Sequence, residues 1–262
     1  MTSYNRRQAL LDILRETPDF RVPELATSLE VSEGTIRNDL NALEKKGLLV
    51  RVHGGAILNQ QDEFTNYSFI RRYQQNASAK HCIAKKAISL VHDGDSIFLD
   101  ASSTVYYFAR ELSKLKLLRV ITNGFEVARE LAQNSTNTVV LIGGIVNNDS
   151  SSVTGLLSEH IIEELHIQKA FLSCSGFSLE RGMTEIHLAE AQIKRKVIDS
   201  TQEVHALVDS SKIGRDDLTS FARPEKIDQL FTEKNLSSDW IERLKNANIK
   251  LTICESQEPN GK

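Results

Sequence analysis

VSEGTIRNDLNALEKKGLLVRVHGGA, residues 31–56, decides how the amino-terminal part of the chain folds. Wound at 100° per residue, it brings Ile36, Leu40, Leu43 and Gly47 within about 60° of one another. Gly34, Asn38, Asn41 and Lys45 then lie on the opposite side, flanked by Arg37. Ser32 is placed to cap this helix, which the spacing predicts over roughly 33–46, and Gly47 to stop it in a left-handed conformation. LLVRV alternates like a strand and runs into Gly54-Gly55, a hairpin turn before AIL. Upstream, RRQALLDILRE has Leu10, Ile13 and Leu14 at helical spacing, with Asn5 as N-cap and Pro18 as terminator. VPELATSLE follows, with Pro23 in the first turn and Leu25, Ala26 and Leu29 forming an apolar stripe. The order is helix, helix, tight turn, helix, β-hairpin.

A polar helix face by itself suits any surface helix. The succession that surrounds it points to a helix-turn-helix, in which such a face enters the major groove. There Arg37 reads guanine, Asn38 and Asn41 read adenine, and Lys45 neutralises phosphate. Gly34 and Thr35 allow close backbone approach where the helix dipole favours phosphate. Arg51 and His53 project from one face of the strand, because side chains repeat every two residues. With the small Gly54-Gly55 tip they form a wing for the DNA backbone or minor groove. The net charge of −3 neither supports nor excludes this, since residues 1–58 carry eight Lys/Arg and eight Asp/Glu.

Residues 59–79, NQQDEFTNYSFIRRYQQNASA, read as a polar linker, with Phe64, Tyr67, Phe69 and Tyr73 alternatively packing on a neighbouring subunit. From 80 to 256 the pattern becomes alternating β and α, and 257–262 is a tail. Strand-like runs at 96–100, 118–122, 138–143, 169–174, 203–209 and 227–232 are separated by amphipathic stretches such as STVYYFARELSK and LAEAQIKRKVIDS. Short apolar strands alternating with helices predict a mainly parallel sheet covered on both faces, an α/β unit. Ligands of such sheets bind beyond the carboxyl ends of the strands. Asp100 falls there, and Ser102-Ser103-Thr104 opens the next helix with unpaired N–H groups suited to an anion, or serves merely as its cap. Thr122-Asn123-Gly124, Gly143-Gly144, Ser175-Gly176 and Asp209-Ser210-Ser211-Lys212 follow other strands. A carboxylate suits sugar hydroxyls and a lysine suits phosphate.

These motifs resemble the DeoR family of bacterial sugar-catabolism regulators. VS at 31–32, TIR at 35–37, DL at 39–40, LE at 43–44, Gly47, Arg51 and HGGA at 53–56 match its winged helix-turn-helix signature. Asn38 stands where the family commonly carries Arg or Lys, which implies an altered operator if its side chain reaches a base; the alternative is a solvent-facing Asn38 with no contact. Downstream, LDASST, TN at 122–123, GG at 143–144, AEAQIKRKVI and VDSSKIG are similar to the family's effector-domain motifs, with Ser102 in place of the usual Gly. The resemblance spans residues 5 to about 254. It implies a larger carboxy-terminal domain similar in fold to ribose-5-phosphate isomerases and CoA transferases. In that reading Ser102, Ser103 and Thr104 bind phosphate, while Asp100, Asn123, Gly176, Glu190 and Lys212 surround the sugar, with Gly143 and Gly144 in the same set of loops. Glu190 and His187 are alternatively surface residues of an amphipathic helix.

No run of about 18 apolar residues spans a bilayer, and MTSYNRRQALLDIL has no signal-peptide h-region. Cys82, Cys174 and Cys254 are scattered, as expected of free thiols in a reducing cytosol, and no His or Cys spacing suggests a metal site. No nucleophile elbow, P-loop or Rossmann fingerprint is present, so no cofactor is expected. The expectation is a cytoplasmic, homo-oligomeric (dimer or tetramer) repressor that binds operator DNA and a phosphorylated sugar or polyol. The alternative is a sugar-phosphate isomerase with an accessory DNA-binding head. It would need Glu190 or Asp100 as a base, and the acidic run of ribose-5-phosphate isomerases is absent.

Overall fold

The computed structural model describes residues 2–16, 21–45, 48–52, 55–58, 69–247 and 249–255. They divide into two compact units, Met1–Asn66 and Tyr67–Lys262.

The first unit contains α1 (Ser3–Glu16), α2 (Val22–Ser28), α3 (Glu33–Glu44) and the hairpin β1 (Leu49–Val52) and β2 (Gly55–Leu58). The expected order of elements holds. The start differs: α1 begins at Ser3, not after Asn5, because the Thr2 hydroxyl accepts the Asn5 N–H at 3.3 Å. Pro23 lies in the first turn of α2. Ser32 caps α3, its hydroxyl accepting the Thr35 N–H at 3.2 Å. Pro18 and Gly47 fall outside the described residues. Leu10, Leu14, Leu25, Ile36, Leu40 and Leu49 form a closed core, each buried side chain contributing about 1.5–3 kcal/mol.

The second unit is built on seven parallel strands. They are β3 (Ser96–Leu99), β4 (Arg119–Thr122), β5 (Thr138–Leu141), β8 (Ile167–Leu172), β11 (Thr201–Leu207), β13 (Gln229–Glu233) and β14 (Lys250–Cys254), in the order β14-β13-β11-β8-β3-β4-β5. Six of them coincide with the predicted runs, whereas β14 was not predicted. Helices α6 (Ser103–Leu112), α7 (Phe125–Leu131), α8 (Leu156–Glu164), α9 (Leu188–Asp199) and α10 (Ser238–Asn246) connect them. Short antiparallel additions decorate the sheet: β6 (Ile145–Asn147) with β7 (Ser152–Thr154), and β9 (Gly176–Ser178), β10 (Gly182–Glu185) and β12 (Thr219–Ala222). One apolar core, including Ile97, Val105, Phe108 and Leu131, is distinct from a second around Phe98, Ile193, Val197 and Leu230. Alternate side chains of β3 therefore reach different cores, as expected of a strand covered on both faces.

The linker reading of 59–79 is corrected for its second half. Residues 69–79 are mostly helical, in α4 (Phe69–Gln74) and the start of α5 (Ala77–Ala87), and residues 59–68 lie outside the described set. Phe69 and Tyr73 pack within this chain. Phe69 meets Tyr106 edge-on at 5.6 Å and Tyr73 stacks on Tyr107 at 4.8 Å, so rings that looked spare in a polar stretch cover α6.

Candidate functional site

Two sets of side chains were expected to carry function, one in each unit. In the first unit the exposed face of α3 presents Arg37, Asn38, Asn41 and Lys45, opposite buried Ile36, Leu40 and Leu43. Thr35 is half-buried in the first turn, its hydroxyl 2.9 Å from that of Ser32. Arg37 is held along the helix by Glu33 at 2.6 Å. The Arg51 guanidinium reaches from β1 to the Asn41 carboxamide oxygen at 2.5 Å, leaving the Asn41 amide nitrogen directed as a donor. The Arg51 N–H is received by Glu44 at 2.9 Å, which ties hairpin to helix. Gly55 opens β2, pairs with Val52 and bridges to Arg21. His53 and Gly54 lie outside the described residues. One residue the sequence reading passed over sets the pose of α3. Buried Asp39 accepts from Arg6 at 2.5 Å and Arg7 at 2.7 Å, fastening α3 to α1. Its place in the DL pair at 39–40, between two apolar positions, was the available signal.

In the second unit the strand order identifies the crevice. From β3 the chain steps outward to β4 and β5, then returns to β8 on the other side and continues to β11, β13 and β14. The switch point therefore lies between β3 and β8, where ligands of such sheets bind. Asp100 and Ser173 follow these two strands directly. Asp100 is fully buried; it accepts the Ser102 N–H at 2.9 Å and the Ser173 N–H at 2.8 Å, and pairs with Lys194 at 3.2 Å. Lys194, from α9, also donates to Glu185 at 2.6 Å and to the Ser173 carbonyl at 2.9 Å. Burial pulls the Lys194 ammonium down, but the charge of Glu185, followed by Asp100 and Glu190, outweighs it and holds the pKa above its usual value. Burial raises the Glu185 carboxyl, yet the Lys194 charge and the hydrogen bonds from Lys194, Ser175 and Ile186 bring it down to about 2. The pair is ionised.

The other predicted residues are distributed around this cluster. Ser102 caps α6 by accepting the Val105 N–H at 3.2 Å, so the capping role proposed for it is real, while Ser103 and Thr104 are buried behind it. Among the described residues the Thr104 hydroxyl and the Asn123 carboxamide oxygen are buried without a hydrogen-bond partner, a costly condition in a folded protein. Glu190 is buried, not a surface residue, and accepts from Ser152 at 2.9 Å. Lys212 lies 3.4 Å from Asp209 and 3.2 Å from the Ser173 hydroxyl. Burial raises the Asp209 carboxyl, but Lys212, Ser211, Lys80 and Asn76 together keep it below the ordinary carboxylate range. Gly143 and Gly144 depart from the expectation: they are exposed and tied to Ser158 and Thr154 instead of the Asp100 cluster. A Cβ on Gly144 would stand 2.4 Å from the Thr154 carbonyl oxygen, so close packing accounts for that glycine. Gly176 likewise lets the Arg215 carbonyl approach, 2.5 Å from where a Cβ would lie.

Sequence reasoning missed Lys194, Glu185, Asn76 and Lys80. Lys194 had a signal, standing four residues after Glu190 on the same helix face. Asn76 donates to Asp209 and to Ser211, both at 3.0 Å, and lines a cavity of about 240 Å³ with Ser210, Ser211, Glu233 and Asn235. A larger cavity of about 780 Å³, with Lys85, Lys86 and Lys234 in its wall, sits beyond β13 and β14, away from the switch point. We place the site by the strand-end chemistry, not by volume. Among the described residues no cluster could hold a metal ion, and no helix is long and apolar enough to cross a membrane.

A winged helix-turn-helix unit followed by a parallel α/β unit with a charged switch-point crevice defines a class, the DNA-binding transcription regulators that carry a sensor. Residues 6–62 match the DeoR-like helix-turn-helix domain and residues 75–234 the DeoR C-terminal sensor domain. The chain belongs to the DeoR family. It is 37% identical to the HTH-type transcriptional regulator GolR of Listeria innocua, across 97% of this chain and all of that one. It is 34% identical to the L-fucose operon activator of Haemophilus influenzae, over 88% and 92% of the two chains. The lactose phosphotransferase system repressor of Streptococcus mutans is also 34% identical, over 89% and 93%. These relatives are named as regulators, not enzymes. Among solved structures, ribose 5-phosphate isomerase from Methanocaldococcus jannaschii is similar with a TM-score of 0.39 and 23% identity over 53% of this chain and 55% of that one.

Proposed function

We propose that this regulator represses a sugar or polyol catabolic operon and releases its operator when a phosphorylated sugar or polyol occupies the switch-point crevice. The observation that carries the reading is the set of polar groups gathered at the switch point between β3 and β8. Two buried, unpartnered polar atoms, on Thr104 and Asn123, accompany a carboxylate at Asp100 and a cation at Lys212. A sugar's hydroxyls satisfy the first two kinds of group, and a phosphate suits the lysine and the first turn of α6. Names of relatives that mention lactose and L-fucose agree with a sugar as the signal. On DNA, Arg37, Asn38, Asn41 and Lys45 face the major groove, with Thr35 at the helix start and Arg51, His53, Gly54 and Gly55 forming the wing. Arg51 leaves Asn41 when both contact DNA, since the amide oxygen it occupies is needed for reading adenine. The chain acts as a homo-oligomer, because one recognition helix reads only a half-site.

A thermal-shift screen against phosphorylated sugars and polyols tests the sensor, followed by operator binding with and without the hit. A selective ligand raises the unfolding midpoint. Lys212→Ala and the pair Ser102→Ala/Ser103→Ala should abolish that response while leaving DNA affinity intact. Arg37→Ala and Lys45→Ala should weaken DNA binding, and Lys45→Ala should also reduce its salt slope by about one. A full ligand response in the Lys212 and Ser102/Ser103 variants would remove the crevice from the reading.

A further inference from the structure

Among the described residues, helix α4 is where the second unit begins. It is six residues long, far below the roughly 12–15 residues at which a helix holds its shape alone. Neighbours must therefore hold it, and hydrogen bonds lead from them to Glu190 and Asp209. At its start, the Phe69 N–H donates to the Asp149 carbonyl at 2.7 Å and Arg72 to the Ser150 carbonyl at 3.3 Å. The Ser150 hydroxyl meets Ser152 at 2.6 Å, and Ser152 donates to Glu190, whose charge bears on Lys194. At its end, buried Lys80 donates to the Arg72 carbonyl and, at 2.6 Å, to that of Gln75. Burial and then the nearby Lys212 charge bring the Lys80 ammonium down to about 8, which places it in the field of the Asp209–Lys212 pair. Asn76, the next residue, adopts a left-handed backbone at φ 52° while its side chain holds Asp209 and Ser211.

We propose that α4 is the lever of this sensor, held at both ends by two hydrogen-bonded arms. One runs through Ser150, Ser152 and Glu190, the other from Asn76 to Asp209 and on by ion pair to Lys212, while Lys80 holds the helix end through the Arg72 and Gln75 carbonyls. This rests on the reading of the crevice as the effector site. A phosphate that draws Lys212 away from Asp209, or sugar hydroxyls that engage Glu190, slackens one arm or both. The packed rings of Phe69, Tyr73, Tyr106 and Tyr107 remain as a pivot. The freed helix then passes the change along the chain to the DNA-binding unit. No separate wire through the sheet is required.

The test uses the full chain without ligand, read by amide hydrogen exchange of the peptide covering 69–80. Lys212→Met and Ser152→Ala each cut one arm at the crevice, and both should speed exchange in 69–80 several-fold while β11 and β8 keep wild-type protection. Lys212→Arg, which keeps the charge, should restore slow exchange. Asn76→Gly keeps the left-handed backbone without the amide. In that background Lys212→Met should add little, because contacts in one chain of partners are not additive. Should Lys212→Met unfold the unit, Ser152→Ala and Ser211→Ala carry the test on their own. Unchanged exchange in 69–80 across folded variants overturns the lever. A crevice ligand that stabilises the protein while leaving exchange in 69–80 unchanged also overturns it and spares the sensor reading. Absence of any crevice ligand, with the exchange pattern as expected, overturns the sensor reading alone.

Discussion

Lys194 shows what a single buried charge does in this molecule. It sits among Asp100, Glu185 and the Ser173 carbonyl, where desolvation of the ammonium is offset by two close carboxylates. The sign of its pH signature follows from Glu185. That carboxyl is depressed from 4.5 to about 2, so its contribution is complete above pH 4.5 and disappears as pH falls toward 2. Glu185→Gln should lower stability at pH 7, by less than the roughly 3–5 kcal/mol of a fully uncompensated buried charge, because Asp100 still faces Lys194. It should also flatten the acid limb between pH 4.5 and 2. Urea unfolding at pH 7 and thermal midpoints down that range measure both. Equal acid sensitivity in the two proteins would assign the limb to other carboxylates.

Among elements, α3 depends on α1 more than its own sequence suggests. Asp39 binds Arg6 and Arg7 from within the helix, and Asp39→Asn keeps the shape while removing the charge that both guanidiniums address. The expected loss is about 1–3 kcal/mol, seen as a lower unfolding midpoint of the amino-terminal unit. A midpoint within error of wild type would mean that the apolar core alone sets the pose of α3. The same scale shows what the sequence made legible. Serine caps at 32 and 102 and the apolar periods of α3, β3, β4, β8 and β11 are local signals, and the elements they predict are present. Helix α4 was not legible, because FIRRYQ has too few residues to display a period and is held by distant partners. Strand β14 escaped notice because KLTIC mixes polar and apolar residues at a sheet edge, with neither face fully covered. At the site, Asp100, Glu190 and Lys212 stood out as charged groups in recognisable motifs. Asn76 did not, since its meaning comes from a contact 133 residues away in sequence.

At the scale of the molecule, six of the nine large apolar side chains exposed among the described residues lie within 140–157. Val140 and Leu141 on edge strand β5, Ile145 and Val146 on β6, and Leu156 and Leu157 at the start of α8 are all exposed, and no charged residue occurs from 138 to 148. An uncharged sheet edge of this kind invites pairing, and a second copy offers the same uncharged surface. Ile145→Asp with Leu156→Asp should convert an assembly into a 29.4 kDa monomer by sedimentation velocity while the far-ultraviolet circular dichroism stays unchanged. An assembly of unchanged mass would move the interface elsewhere. The division into two units has a temporal side as well. The winged head is built from the first 66 residues, whereas the parallel sheet cannot close until β14, near the carboxyl end, has emerged. At about 5–20 residues per second of synthesis, the residues of the winged head precede the last strand of the sensor sheet by some ten to forty seconds.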